Sequence, residues 1–155
     1  MIYDEEGLLR SIQAYVKANL NTRIAAINTE KTDFDIDTIT ADDAHYVFGG
    51  ELLDLPNHTF VNFAIDGEID VISNGNSKAS TPTIRVEVAF DNPKKENTYF
   101  KSLRYMRALY ETILNYESSA VEVDDLSITK AIPMVVTAQQ RQLVVSGVSV
   151  SVSLA

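Results

Sequence analysis

The segment Thr83-Ile84-Arg85-Val86-Glu87-Val88-Ala89-Phe90 alternates apolar and mostly polar residues, and a helical run follows it almost at once. Successive side chains of a strand point to opposite faces, so period two predicts a strand with one buried face. From Asn92 to Tyr116 the chain reads NPKKENTYFKSLRYMRALYETILNY. Tyr99, Leu103, Met106, Tyr110 and Ile113 recur at steps of three and four, with Phe100, Leu109 and Leu114 widening the stripe. That spacing gathers them on one side of a helix expected over 93–116. Asn92 can cap free N–H groups, and Pro93 suits a first turn in which no N–H is needed. A strand with one dry face and a helix with one dry stripe bury each other. This pair is the expected centre of the fold.

The rest of the chain supplies the partners. A first helix is expected over 4–31, with Leu9, Ile12, Val16, Leu20, Ile24 and Ile27 on its dry side. Asp4, Glu5 and Glu6 sit where the positive end of the helix dipole favours acids. The weaker helix formers at Asn19 to Thr22 permit a kink. Residues 32–58 hold no sustained period and read as an acidic loop, anchored to the core by Tyr46, Val47 and Phe48 before Gly49-Gly50. Phe60–Ile65 and Glu68–Ile72 are short β-branched runs on either side of Asp66-Gly67, a two-residue hairpin signal, with one bulged strand as the alternative. Asn74 to Pro82 (NGNSKASTP) is small, polar and turn-rich, hence a mobile loop. After an acidic connector over 117–125, Leu126–Val136 reads as a strand in which Pro133 marks an edge position or a bulge. Thr137–Arg141 is a polar hairpin tip. Gln142–Leu154 is a long strand in which Val144, Val148, Val150, Val152 and Leu154 alternate with serines, and Gly147 is a candidate bulge. Long uncharged strands on a sheet edge invite pairing, so this one either lies inside the sheet or is covered by a neighbouring subunit; the first is expected for most of its length, with its end left for contacts.

The order is helix, loop, three strands, helix, two strands. It specifies an α+β fold: an antiparallel or mixed sheet of about five strands with two helices on one face. At 155 residues, a single domain over 1–155 is expected. A chain of this size buries roughly 70% of its unfolded surface and needs no metal or disulfide to hold a core.

Composition narrows the function classes. The chain has no cysteine, which excludes disulfides, thiolate metal sites and a cysteine nucleophile. Its formal net charge of −9 opposes any grip on a phosphate backbone. The bland role of that charge is solubility; it also suits a protein past which DNA slides without sticking. The N-terminus MIYDEEGLL lacks the pattern of a signal peptide, and no run is long and apolar enough to span a membrane.

The sequence offers few groups arranged for chemistry. Asp33, Asp35 and Asp37 have the D-x-D-x-D spacing of a calcium loop, but Thr38 and Ala44 stand where such a loop needs Gly and Glu. With Asp42 and Asp43 they read as a solvated acidic loop, whose charge reversal should leave folding intact because it carries little core. His45 and His58 lie in expected loops without the clustered ligands a zinc site requires. The carboxylate pairs Asp42-Asp43 and Asp124-Asp125 are adjacent in sequence, unlike the opposed acids of a glycosidase. No nucleophile elbow, phosphate-binding loop or dinucleotide fingerprint is present. The expectation is no enzyme, no cofactor and no metal.

Five segments together are similar to the tail terminator (tail completion) proteins of tailed bacteriophages. They are the opening helix LLRSIQAYVKANLNTRIAAIN, the segment FVNFAI, the strand TIRVEVAF, the helix YFKSLRYMRALYETIL and the closing VSVSVSLA. The resemblance is one of pattern and length over nearly the whole chain. The acidic stretch Asp33–Asp43 has no counterpart in it. It implies a structural virion protein of the tail and neck, assembled in the host cytoplasm. Six copies would form a ring that caps the finished tail tube, joins it to the head connector and leaves a channel through which DNA passes without specific binding. Its partners would be itself, the tail tube with the sheath as a further candidate, and the connector or stopper proteins. The family brings no catalytic residues. Candidate contact residues are Val148, Val150 and Val152 on the last strand and Asn76 and Lys78 in the polar loop. The alternatives are a head-side connector or stopper, and, from another class, a small ligand-binding or enzymatic α+β domain.

Overall fold

The computed structural model describes residues 4–51, 54–66, 70–74, 77–91, 97–116, 125–130, 134–138 and 141–153. Helix α1 spans Glu5–Glu30. Asp4 caps it by accepting from the Gly7 N–H at 2.6 Å. The helix runs unbroken through Asn19–Thr22, so the permitted kink is absent. Its buried stripe is Leu8, Ile12, Val16, Leu20, Ile24 and Ile27, each at most 1% exposed. Leu8 holds the place given to Leu9, which is only partly buried at the rim.

Strands β1 (Tyr46–Phe48), β2 (Phe60–Ile65), β5 (Thr83–Asp91) and β8 (Arg141–Ser153) lie side by side in that order. At the far side of β8 sit β6 (Asp125–Lys130), against residues 148–153, and β7 (Met134–Ala138), against residues 141–145. The six-stranded sheet is mixed, because β1 pairs with β2 in parallel while the other pairs are antiparallel. β8 is therefore interior over most of its length, as the uncharged Val/Ser run beyond Arg141 requires. The strand expected over 126–136 is two strands, and Pro133 falls outside the described residues.

β5 confirms the period-two reading: Ile84, Val86 and Val88 are fully buried on one face. Opposite them across β8 stand Val150, Val148 and Ser146, and across β2 stand Ile65, Phe63 and Val61. Both helices cover this face, and one contiguous core joins them to it. Gly147 is not a bulge; it stays in register opposite Glu87. A Cβ there would come within 2.1 Å of the Val86 carbonyl oxygen, so the strands approach too closely for any side chain.

Helix α2 spans Thr98–Leu114. It starts at Thr98 rather than Pro93, after Asn97 at φ 69°, and residues 92–96 are outside the described set. The buried stripe is Ser102, Tyr105, Ala108, Leu109, Thr112 and Ile113, turned from the expected one. Small residues let the helix sit close to the sheet. The hydroxyls of Ser102 and Thr112 bond to their own helix, at Tyr99 O (2.6 Å) and Ala108 O (2.7 Å), so their burial leaves no polar atom unpaired. α1 and α2 run antiparallel. Ser11 meets the Tyr116 hydroxyl at 2.7 Å and the Tyr15 hydroxyl donates to Asn115 O at one end, while Glu30 pairs with Arg107 at the other.

Two loop expectations are corrected. Among the described residues β2 does not pair with the run that follows Asp66, and Gly67 and Glu68 of the expected hairpin lie outside them. β2 pairs with β5 up to Ile65 opposite Ile84. The chain between them instead forms a separate two-stranded hairpin, β3 (Asp70–Asn74) with β4 (Ser77–Thr81). The polar stretch read as a mobile loop thus supplies one strand of an arm. At its base the Asp66 N–H donates to Thr83 O at 2.8 Å, continuing the β2–β5 ladder.

Candidate functional site

The acidic stretch is not a free loop but a strap pinned along α1. The Asn28 amide donates to Ile36 O and accepts from Ile36 N–H, both at 2.9 Å. Asn21 does the same for Ile39, at 2.7 and 2.9 Å. The geometry follows from two rises. Seven helical residues advance about 10.5 Å, and three extended residues advance about 10 Å. Two asparagines two turns apart can therefore clamp two strap residues three apart. The clamps seat Ile36 and Ile39 in the core at 2% exposure each. The segment carries core, against expectation.

Its carboxylates are occupied at the surface. Asp33 pairs with Arg104 at 2.7 Å, and the same guanidinium donates to Phe34 O and lies 3.7 Å from the Phe34 ring centroid. Asp43 pairs with Lys17 at 2.7 Å and accepts from Gln13, whose amide also donates to Tyr46 O. Asp42 accepts from His45. Each of the three carboxyl groups is held below the usual carboxylate range, chiefly by these side-chain hydrogen bonds. The Tyr105 hydroxyl donates to Asp37 O, and burial pushes the Tyr105 and Tyr46 phenols up. These are ties between elements rather than groups converging on a substrate. Among the described residues, no three acids or histidines gather as metal ligands would.

Val148, Val150 and Val152, named as contact residues from the sequence, are fully buried. Because β8 is interior, its alternating valines face the helices and pack into the chain's own core, so they offer no free surface. Lys78 lies on β4 opposite Ser73. Asn76 falls outside the described residues, as does Asp124.

Other features are available for contact. Tyr99 and Phe100, expected in the core, are 61% and 57% exposed on the first turn of α2, their rings 5.8 Å apart. The buried stripe starts only at Ser102, so this turn stands clear of it. Next to it lies a cleft of about 230 Å³ lined by Asp37, Thr59, Phe90, Asp91, Thr98, Lys101 and Tyr105. Asp91 on its wall pairs with Arg141 at 2.8 Å, and that guanidinium also holds Pro56 O. The sheet face away from the helices is half-exposed along Asn62, Arg85, Ser149 and Ser151, with Arg85 paired to Glu87 at 3.0 Å. One corner of that face, Val47, Phe60 and Ala89, is closed with help from Leu55 and Val145. No helix among the described residues is long and apolar enough to cross a membrane. No family model matches the chain, and no curated protein matches it significantly.

Proposed function

We propose that this chain is a structural virion subunit of the tail terminator kind. Six copies close into a ring that caps the tail tube, meets the head connector and leaves a channel for DNA. The observation that carries the reading is the arrangement of contact elements around a closed core. A two-stranded arm is inserted in the chain between β2 and β5, and an aromatic pair is exposed on α2. A ring of identical subunits is a heterologous assembly, so each copy needs two different patches that fit each other. An arm at one place and an aromatic turn at another are such a pair. The acidic balance suits a passage that DNA must traverse without adhering. The resemblance in helix and strand pattern supplies the position in the virion.

The test is electron microscopy of the purified protein mixed with purified tails, beside its mass in solution. A sixfold cap on the head-proximal end of tail tubes is the expected result. The double variant Tyr99→Ser, Phe100→Ser should fold normally and fail to cap. Binding to the portal–adaptor complex with no binding to tails would move the protein to the stopper position. A monomer that binds neither would overturn the reading.

A further inference from the structure

The chain holds six arginines. Arg10 pairs with Glu6, Arg85 with Glu87, Arg104 with Asp33, Arg107 with Glu30 and Glu111, and Arg141 with Asp91. The sixth, Arg23, is half-buried and has no ion pair among the described residues. It lines a groove of about 230 Å³ between the helices, with Tyr15, Asn19 and Thr22 beside it on α1 and Thr112 and Asn115 across from it on α2. Among the described residues, no acid lines that groove. Its other polar side chains are mostly engaged: the Tyr15 and Thr112 hydroxyls and the Asn19 and Asn115 amides each donate to a backbone carbonyl. The groove therefore presents one cation, and the planar fork of a guanidinium matches a carboxylate. Sites for small molecules run from roughly 300 Å³ upwards, so this space suits a single side chain.

The strap carries the complementary group. Asp33, Asp42 and Asp43 are held by Arg104, His45 and Lys17, and Asp37 lines the cleft beside Lys101. Asp35 is exposed and has no cationic partner among the described residues. Its neighbours are anchored, Phe34 by Arg104 and Ile36 by Asn28, so its carboxylate is presented at little cost in ordering. The two unused charges cannot meet within one chain. The clamps at Asn21 and Asn28 hold the strap on one flank of α1. At 3.6 residues per turn, Arg23 stands roughly 160° around the helix from Asn21 and roughly 140° from Asn28. A cation on one flank and an anion on the other close head to tail between copies, which is the heterologous contact a ring requires. We infer that the Arg23 groove receives the Asp35 carboxylate of a neighbouring copy. The inference rests on the proposed self-assembly and names one contact of it. Each subunit then gives one carboxylate and takes one, and the same contact repeats around the ring.

A charge swap in the full chain tests the contact, read by sedimentation velocity for self-association and by electron microscopy for capping of purified tail tubes. Arg23→Glu sets two acids against each other. It should raise the protein concentration needed for half-maximal capping by roughly tenfold or more, the scale of a charge-assisted hydrogen bond. The urea midpoint of the single subunit should hardly move, because the side chain ties no two elements together. Asp35→Arg should weaken capping in the same way. Both substitutions in one chain reverse the sign of the pair and should restore capping. Undiminished capping by Arg23→Glu, or no recovery in the charge-swapped chain, would overturn the contact and leave the ring. A native protein that stays single at every concentration and caps nothing would remove the ring and the contact together.

Discussion

Asn28→Ala tests the strap most directly. The substitution removes two hydrogen bonds at once and strands the Ile36 N–H and C=O. Each bond contributes about 1 kcal/mol net, and a backbone group left partly buried without a partner costs about 1–3 kcal/mol. Water can enter as the strap lifts, which favours the lower end. Alanine also returns about 0.6 kcal/mol of helix propensity over asparagine. The balance is a loss of about 2 kcal/mol, or about 4–8 °C in Tm for a chain of this size. Asn19→Ala is the control, because the Asn19 amide bonds only within its own helix, to Tyr15 O. It should leave stability unchanged or slightly raised. Urea unfolding at constant m-value reads the difference, and exchange of the Ile36 and Ile39 amides reads where it arises. The double variant Asn21→Ala, Asn28→Ala should cost less than the sum of the two, because one clamp's loss already frees the strap. An Asn28→Ala protein as stable as Asn19→Ala, with unchanged exchange at Ile36, would refute the clamp.

Other perturbations follow from the same coordinates. Gly147→Ala forces a methyl against the β5 backbone and should destabilise by about 2–3 kcal/mol; Gly49→Ala meets only the movable Asn62 side chain and should show a much smaller shift in urea midpoint. Val150→Asp buries a charge at a position with no exposure, so it should cost more than about 4 kcal/mol and abolish the near-ultraviolet signal of folded protein, not merely assembly. Glu30, Asp33, Asp42 and Asp43 all have carboxyl groups held low by partners. The native state therefore binds fewer protons than the unfolded one below about pH 4, and stability lost there should be present above it. A pH–stability profile with no acid limb would contradict these ion pairs.

The helices and central strands were legible because burial writes a period into the chain. β5 alternates, α1 repeats at three and four, and β8 shows its interior place by lacking charge beyond Arg141. The phase of α2 was less legible. Ser102, Ala108 and Thr112 are small or polar, so hydropathy gave them no weight, yet they are what lets the helix approach the sheet. Tyr99 and Phe100 weighed heavily and lie outside. The strap was invisible to periodicity because its two core residues, Ile36 and Ile39, sit among acids and are held by side chains eighteen and eight residues away in sequence. The available signal was an asparagine pair seven apart beside the apolar stripe of a helix. Asp66-Gly67 misled because turn chemistry is local, whereas the partner of β2 was settled by the apolar faces of β5.

The β3–β4 arm poses the remaining physical question. Its sequences, DVISN and SKAST, offer few large apolar groups. A lone two-stranded hairpin is marginal in water. Ties at its base, the Asp66–Thr83 bond and the Val152 N–H on Pro82 O at 3.1 Å, fix where it leaves the sheet, and β4 comes against β8. A chain that keeps such an element gains from it most where another surface completes it, and edge pairing with a neighbouring copy would do so through backbone groups without demanding apolar side chains. Replacing residues 70–81 with a short glycine-containing turn should therefore leave the monomer's urea midpoint nearly unchanged and eliminate capping of tail tubes. Retained capping would show that the ring, if it forms, closes through the α2 aromatic turn and the sheet face alone. A collapse of monomer stability would show instead that the arm belongs to the core.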